Sequence, residues 1–480
     1  MKKFSNVFRF VWLTGTLVLA LGAGSRTALA VQYPYALPDA MSARLDIDLA
    51  HKTNFNNLLL GLNCGWPEML YGMVGYNNPD AQKLITAFHP TSLRFPHGVW
   101  ANFYDWEVDG RRIYDGYSRV YLRAVKDHPD LRYGFPGFTM LHSNLNFDVL
   151  FTWNVDYDSP SKGVARLRDQ DAKGFDTQRI ELGNENFYKS QCSRAISNVQ
   201  AYIRIAGTHA AALRATKPTL QISVPVEWKH PDGSWNMALA ATNFYDAVSV
   251  HVYNRFSDGV TTNVLRAGNF MLDAVRPVRA LFPGKPIWLS EWAVYGGDGK
   301  PNALSVLGMA DVYLCFFNHP ELFGGADYFQ MNAGQPMFQY DKNTHAITKT
   351  SYGAAYEMIR DIFENSQIVE DRIQSSTLVP GVNAIEAQTV IKHGQVIVFA
   401  INKTTNSIPL SLNFNGVRYT NGFTHRTLVF DGVNAFKTFG LTENPLTTVA
   451  SDQGAIRLLP LSLNEISGLN LSGGKNLPAN

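Results

Sequence analysis

Two short stretches of the chain place carboxyl groups where they could do chemistry. In "RIELGNENFY", Arg179 to Tyr188, Glu181 and Glu185 stand four residues apart around a glycine and an asparagine, directly after a short apolar run. In "PIWLSEW", Pro286 to Trp292, Glu291 closes a second apolar run between Trp288 and Trp292. A carboxyl group at a strand tip is ordinarily just solvated. Two of them meeting in one pocket can act on a single bond, one protonating a leaving oxygen while the other stabilises or captures the cationic centre left behind. Glycosidic bond cleavage has this requirement. It is met only if the fold brings Glu185 and Glu291 together.

The elements that would do so are legible from about residue 56 to 365. Eight short β-rich runs, "NLLLGLN", "SLRFP", "VLFTWNV", "RIELGN", "LQISVPV", "AVSVHVY", "PIWLS" and "ADYFQM", alternate with helical patterns. Between the fourth and fifth runs, Ile196, Val199, Ile203, Ala206, Ala210 and Leu213 recur at alternating spacings of three and four, the apolar face of an amphipathic helix. Strand, crossover helix and strand make a parallel unit. Eight such units with polar residues at many strand ends predict a (β/α)8 barrel, whose chemistry sits at the C-terminal ends of its strands. An open doubly wound sheet would gather its ligand contacts at a switch point, often with a glycine-rich phosphate loop. The chain contains neither G-x-G-x-x-G nor G-x-x-x-x-G-K-[ST].

After "YGAAYEMIRDIFE" the texture changes. Residues 366–480 read as short alternating strands such as "VIVFAIN", "IPLSLNF" and "RTLVF" between turn-forming Asn, Gly and Thr, an antiparallel β-sandwich. Residues 31–55 are expected to join that sandwich. All the tryptophans of the chain lie at or before Trp292, so the sandwich lacks the Trp platforms on which sugar rings commonly stack and reads as a structural partner of the barrel.

Residues 1–30 join Lys2, Lys3 and Arg9 to the apolar run "FVWLTGTLVLALGAG" and then to "ALA" at Ala28–Ala30, the three parts of a secretory signal peptide. A secreted or periplasmic protein is expected, with no membrane association once the signal is cleaved. Of the 42 basic side chains, Lys2, Lys3, Arg9 and Arg26 lie in this stretch, which holds no acidic residue; 38 then face 40 acidic ones. Near neutrality argues against nucleic acid as a partner. Three cysteines, Cys64, Cys192 and Cys315, are too few for a disulfide framework and lack metal-type spacing, though one bridge stays open. No cofactor and no metal are expected.

"ELGNEN" followed by "LSEW", with "SVHVY" on the sixth strand and "LRFPHG" on the second, resembles the clan of retaining (β/α)8 glycoside hydrolases, most of all α-L-arabinofuranosidases and the related heparanase-like β-glucuronidases and β-xylosidases. The resemblance covers the barrel and the trailing sandwich. It implies Glu185 as general acid/base, Glu291 as nucleophile and Asn184 as partner of the sugar hydroxyl beside the anomeric carbon. It also implies that Arg94 and Tyr253 orient the nucleophile, that His251 belongs to the site, and that Gln330 at the end of strand eight is a further contact. The expected substrate is a polysaccharide or oligosaccharide.

One departure bears on substrate choice. Arabinofuranosidases typically read R-[FY]-P-G-G-N where this chain reads Arg94-Phe95-Pro96-His97-Gly98-Val99. Val99 cannot make the sugar hydrogen bond of that Asn, and His97 replaces a glycine, so a reshaped pocket floor is expected. Trp100 and Tyr104 are candidate stacking surfaces for a sugar face, although such aromatics more often pack a loop onto a barrel, and Trp292 beside Glu291 is a candidate substrate-binding residue.

Each of these residues also has a structural reading. Glu181 shares strand parity with Glu185 and can be a buried, paired carboxylate; Arg94 can simply neutralise it; His251 and Tyr253 can be core residues. Their joint appearance at successive strand ends favours an active site. A non-catalytic carbohydrate-binding barrel would leave the presence of both Glu185 and Glu291 unexplained. A serine esterase would need the G-x-S-x-G elbow and a zinc protease the H-E-x-x-H helix, and neither motif occurs. If Glu185 is the acid, burial and the charge of Glu291 are expected to raise its pKa.

Overall fold

The computed structural model describes residues 41–65, 75–111, 132–255, 264–295, 303–331, 336–341, 343–429, 442–449 and 456–471. The signal peptide expected at residues 1–30 lies outside them. Among the described residues no helix is long and apolar enough to cross a membrane.

Eight parallel strands close into a barrel in chain order: Gly61–Asn63, Ser92–Phe95, Asp148–Trp153, Arg179–Leu182, Gln221–Pro225, Ala247–Arg255, Ile287–Tyr295 and Phe323–Tyr328. Each falls within or overlaps one of the eight β-rich runs. The run pattern succeeds because barrel strands are buried on both faces: Arg179–Leu182 is buried at every position and Ile287–Tyr295 at all but the last.

Crossover helices cover the outside and carry local start signals. Asn78 caps Pro79–Phe88, Ser159 caps Pro160–Ala172 and Asn198 caps Val199–Thr216, each side chain accepting a backbone N–H of the first turn. Proline at the first position of two of these helices removes an N–H that would have had no partner. In Val199–Thr216, Ala206, Ala210 and Leu213 face the core while Val199 and Ile203 are half-buried. Ile196 is buried but lies ahead of the helix, in the loop that leads to it.

The second unit is a ten-stranded hydrogen-bonded sheet, antiparallel except for one pair. That pair is made by Ala43–Asn54, which runs parallel to Ile408–Phe414 on one side and antiparallel to Gln367–Ser375 on the other. The alternation of Ile408–Phe414, buried at every second residue, shows one face turned inward and one towards water. The last helix of the barrel, Ser351–Phe363, hands the chain to this sheet, and its Phe363 packs edge-on against Phe399 at 5.7 Å. Nearby, buried Lys403 reaches back to barrel helix Ala303–Asn318, 2.6 Å from Asp311, and donates to the carbonyl of Leu265 at 3.2 Å. The two units therefore share apolar packing and a buried charge pair.

Candidate active site

Arg94 leaves the second strand fully buried and spends its guanidinium on four partners from three other strands. Nε donates to Glu181 Oε2 at 2.7 Å, Nη1 to Glu291 Oε1 at 2.7 Å and Asn63 Oδ1 at 3.1 Å, and Nη2 to Asn184 Oδ1 at 2.8 Å. Only a planar fork with five N–H groups can do this. Tyr253 donates its hydroxyl to the other oxygen of Glu291, Oε2. Both oxygens of Glu291 are thus held by donors, and the fully buried Glu181 is the paired carboxylate that its strand parity allowed.

The turn after the fourth strand aims Glu185. Gly183 sits at φ +87°, where a Cβ would come 2.0 Å from Asn186 Oδ1, and Glu185 itself takes the left-handed conformation at φ +45°. Asn102 brackets the turn, accepting the N–H of Asn184 at 2.8 Å and donating to its carbonyl at 2.8 Å. Glu185 Oε1 then lies 3.1 Å from His251 Nδ1 and Oε2 accepts from Gln191 Nε2 at 2.5 Å.

His251 stands between the carboxylates. Its Nδ1 is 3.1 Å from Glu185 and 3.5 Å from Glu291 Oε2, and its Nε2 is 3.1 Å from Ser290 Oγ. Ser290 spends its own hydroxyl proton on Glu181 Oε1 at 3.0 Å, so it accepts from Nε2–H. The variable proton of the imidazole is therefore the one on Nδ1, facing Glu185. One oxygen of Glu185, Nδ1 or Nε2 of His251 and one oxygen of Glu291 all lie within 4.8 Å of one another.

The electrostatics follow from three carboxylates facing two cations in a desolvated space. Burial opposes the charge of Glu181, but Arg94 and His251 outweigh it and hold its pKa at about 2. Burial likewise opposes the imidazolium of His251, yet Glu291, Glu181 and Glu185 raise its pKa to about 10. Tyr253 is pushed well above its usual range by burial and by Glu291, which keeps its hydroxyl a donor. For Glu185 the expectation of a raised pKa is corrected. Burial does raise it, but hydrogen bonds from His251 and Gln191, the charge of His251 and that of Arg94 win, and its carboxyl is held below the ordinary value.

Other sequence candidates fall into two groups. His97 is buried, edge-on to Phe329 at 5.5 Å; burial lowers its pKa to about 4 against the pull of Glu291, so it is neutral there. Gln330 is buried at the end of strand eight, where its carbonyl oxygen has no hydrogen-bond partner among the described residues. Val99 is half-buried against the core.

Trp100 and Trp292, by contrast, are buried and offer no stacking surface. Trp292 exposes 0 % of its surface and is boxed edge-on by Tyr313, Phe316 and Tyr328. Successive strand residues point to opposite faces, so the side chain after the inward Glu291 enters the helical layer. Trp100 exposes 4 % and joins the core from the 3-10 helix Gly98–Phe103, and Tyr104 packs on Phe95 and Tyr133. Half-exposed Phe329, edge-on to Tyr253 at 5.6 Å, is an aromatic ring that reaches the site. A Cβ on Gly98 would lie 3.8 Å from Glu291 Oε1 and 3.9 Å from the Phe329 ring, so this residue borders both.

Sequence reading also passed over Asn63, Asn102, Gln191 and Ser290. Asn63 and Ser290 carried a usable signal, being polar residues at the end of strand one and within strand seven beside Glu291. Asn102 and Gln191 carried none, because the 3-10 helices that hold them are too short to show a periodicity. Glu185, His251 and Glu291 could geometrically hold a cation, as could half-buried Asp48 with exposed His51 and Glu370 on the sheet. In the first group a protonated His251 opposes one. The three cysteines are free and buried.

In sequence the chain matches no protein-family model and no curated protein. In structure it is similar to several glycoside hydrolases. The family 51 arabinofuranosidase of Xanthomonas axonopodis pv. citri superposes with a TM-score of 0.70 at 15 % identity, over 89 % of this chain and 100 % of that one. The α-L-arabinofuranosidase of Thermotoga maritima gives 0.71 at 15 % identity, over 89 % and 99 %. A xyloglucanase of family 44 from Paenibacillus polymyxa gives 0.61 at 11 % identity, over 89 % and 99 %. The chain has their fold. Barrel and sandwich are both included in the match, as the high coverage of each chain requires.

Proposed function

We propose that this chain is a secreted, retaining glycoside hydrolase that cleaves a polysaccharide or oligosaccharide by double displacement through a glycosyl-enzyme. The observation that carries the reading is the approach of Glu185 and Glu291 across the barrel mouth, with carboxylate oxygens within 4.8 Å. Retaining enzymes hold their two carboxyl groups about 5–5.5 Å apart, while inverting ones need about 6.5–9.5 Å for an intervening water. The fold shared with arabinofuranosidases and a xyloglucanase is consistent with it. For export, the support is the charged, apolar and small-residue pattern of residues 1–30.

In this reading Glu291 is the nucleophile, its two oxygens oriented by the donors of Arg94 and Tyr253. Glu185 is the acid/base, and its proton comes from the His251–Glu185 hydrogen bond. At rest the proton sits on Nδ1. Its transfer across 3.1 Å gives neutral His251 and a protonated Glu185, which donates to the leaving oxygen as Glu291 forms its bond to the anomeric carbon. In the second half the ionised Glu185 takes a proton from water, the water oxygen bonds to the anomeric carbon, the bond to Glu291 breaks, and the proton on Glu185 returns to His251 Nδ1. Asn184, oriented by Arg94, offers its amide to the hydroxyl beside the reacting carbon.

The test follows the anomeric configuration of the first-formed product by NMR on a panel of nitrophenyl glycosides and polysaccharides. Retention is expected. Glu291→Ala abolishes turnover, and Glu185→Ala lowers it by roughly 10²–10⁴-fold, with azide restoring turnover of an activated substrate. Product of inverted configuration would refute the double displacement.

A further inference from the structure

Among the described residues, Glu185 has one side-chain hydrogen-bond partner that neither titrates nor carries charge. Every other group facing it does one or both: Arg94 from the second strand, Glu181 of its own strand through His251, His251 and Tyr253 from the sixth, and Glu291 from the seventh. Gln191 is the exception. Its Nε2 donates to Glu185 Oε2 at 2.5 Å while its Oε1 accepts from Asn184 Nδ2 at 3.0 Å, so one carboxamide ties together the two consecutive side chains that the proposed reaction uses.

The scaffold around Gln191 is built to hold it there. Asn102, which brackets the backbone of Asn184, also donates to the Gln191 carbonyl at 3.0 Å. Buried Asp156 pins the loop on both sides, accepting from the side chain of Asn186 at 2.8 Å and from the N–H of Ser193 at 2.5 Å. The orientation of Asn184 is decided at both ends, because its oxygen is claimed by Arg94 and its NH₂ by Gln191. An amide that donates to a carboxylate favours the charged form.

We propose that Gln191 is the positioning residue of the acid/base, fixing Glu185 and Asn184 as one unit and biasing Glu185 towards its ionised form. The proposal rests on the glycosidase reading for the role of Glu185, but its geometry stands without it. Because Gln191 is neutral, Gln191→Leu removes a hydrogen bond and leaves the charge of the site unchanged. Gln191→Glu replaces the donor with a second carboxylate and acts in the same direction more strongly.

The experiment uses the full chain with ¹³C-labelled glutamate, the Glu185 carboxyl signal being assigned through Glu185→Gln. Gln191→Leu raises the Glu185 titration midpoint by about one pH unit, and Gln191→Glu raises it further. An unchanged midpoint in either folded variant overturns the proposal. In parallel, kcat/KM of Gln191→Leu falls roughly tenfold on glycosides with alkyl leaving groups, which need the acid, and much less on dinitrophenyl glycosides, which do not. Equal loss on both overturns it too, since that is the signature of general disruption. If the wild type hydrolyses no glycoside, the glycosidase reading falls, while the titration still decides whether Gln191 controls Glu185.

Discussion

His251 Nδ1 lies 3.1 Å from Glu185 Oε1, and this bond decides how protons are held in the site. The pKa of His251 is raised to about 10 from an ordinary 6.5. A group with a raised folded-state pKa adds stability that is fully present below its unfolded value and lost as pH rises through the folded one. Denaturation midpoints of the wild type should therefore decline between pH 6.5 and 10. His251→Asn should flatten the decline across that window. Parallel curves for the two proteins would show that the imidazolium contributes nothing to folding.

Arg94 cannot be replaced conservatively. Lysine keeps the charge but offers a single ammonium in place of a fork that serves Glu181, Glu291, Asn63 and Asn184. Arg94→Lys should leave at least one buried carboxylate without its partner, at a cost on the order of 3–5 kcal/mol read from urea unfolding, and should lose activity. A variant of wild-type stability and turnover would show that the fork is dispensable.

The sandwich should prove inseparable from the barrel. Ending the chain near residue 365 removes both sheet neighbours of Ala43–Asn54 and the packing of Phe399 on Phe363, exposing apolar surface. Such a barrel is expected to aggregate, which light scattering would show. Within the full chain, Lys403→Met leaves Asp311 and Glu386 without their shared cation and should lower stability on the order of 3–5 kcal/mol. A soluble, active truncation would contradict this dependence.

Arabinofuranosides should be poor substrates. Val99 stands where the arabinofuranosidase pattern that the chain resembles carries an Asn, and a site that depends on a hydrogen bond discriminates strongly when one partner is missing. Arabinose release measured beside release from pyranosides decides the point. Efficient arabinose release by the wild type would mean that position 99 does not control the choice.

Several features of the site were legible before any coordinates. The eight runs became the eight strands, and Arg94, Glu185, His251, Tyr253 and Glu291 do converge at their ends. Trp292 could also have been placed, since strand alternation turns it away from Glu291 into the box of Tyr313, Phe316 and Tyr328. Proximity in sequence had suggested a substrate contact; parity rules it out. Phe329 was hidden because a single aromatic in "ADYFQM" reads as core until the barrel closes and brings it against Tyr253 and His97.

By itself, the sequence determined the strand runs, the amphipathic face of the helix between strands four and five from Val199 onward, the strand tips that carry acids and the change of texture near residue 365. These are local matters: hydrophobic periodicity, capping residues and backbone preference act over a few neighbours. Only the tertiary structure decided which way the pKa of Glu185 moves. Burial and the nearness of Glu291 argued for a raised pKa, but His251 arrives from 66 positions away and Gln191 folds back from a loop, and together they reverse the direction. A pKa is a sum over groups within a few ångströms, and which groups those are is fixed by closure of the barrel, not by order along the chain.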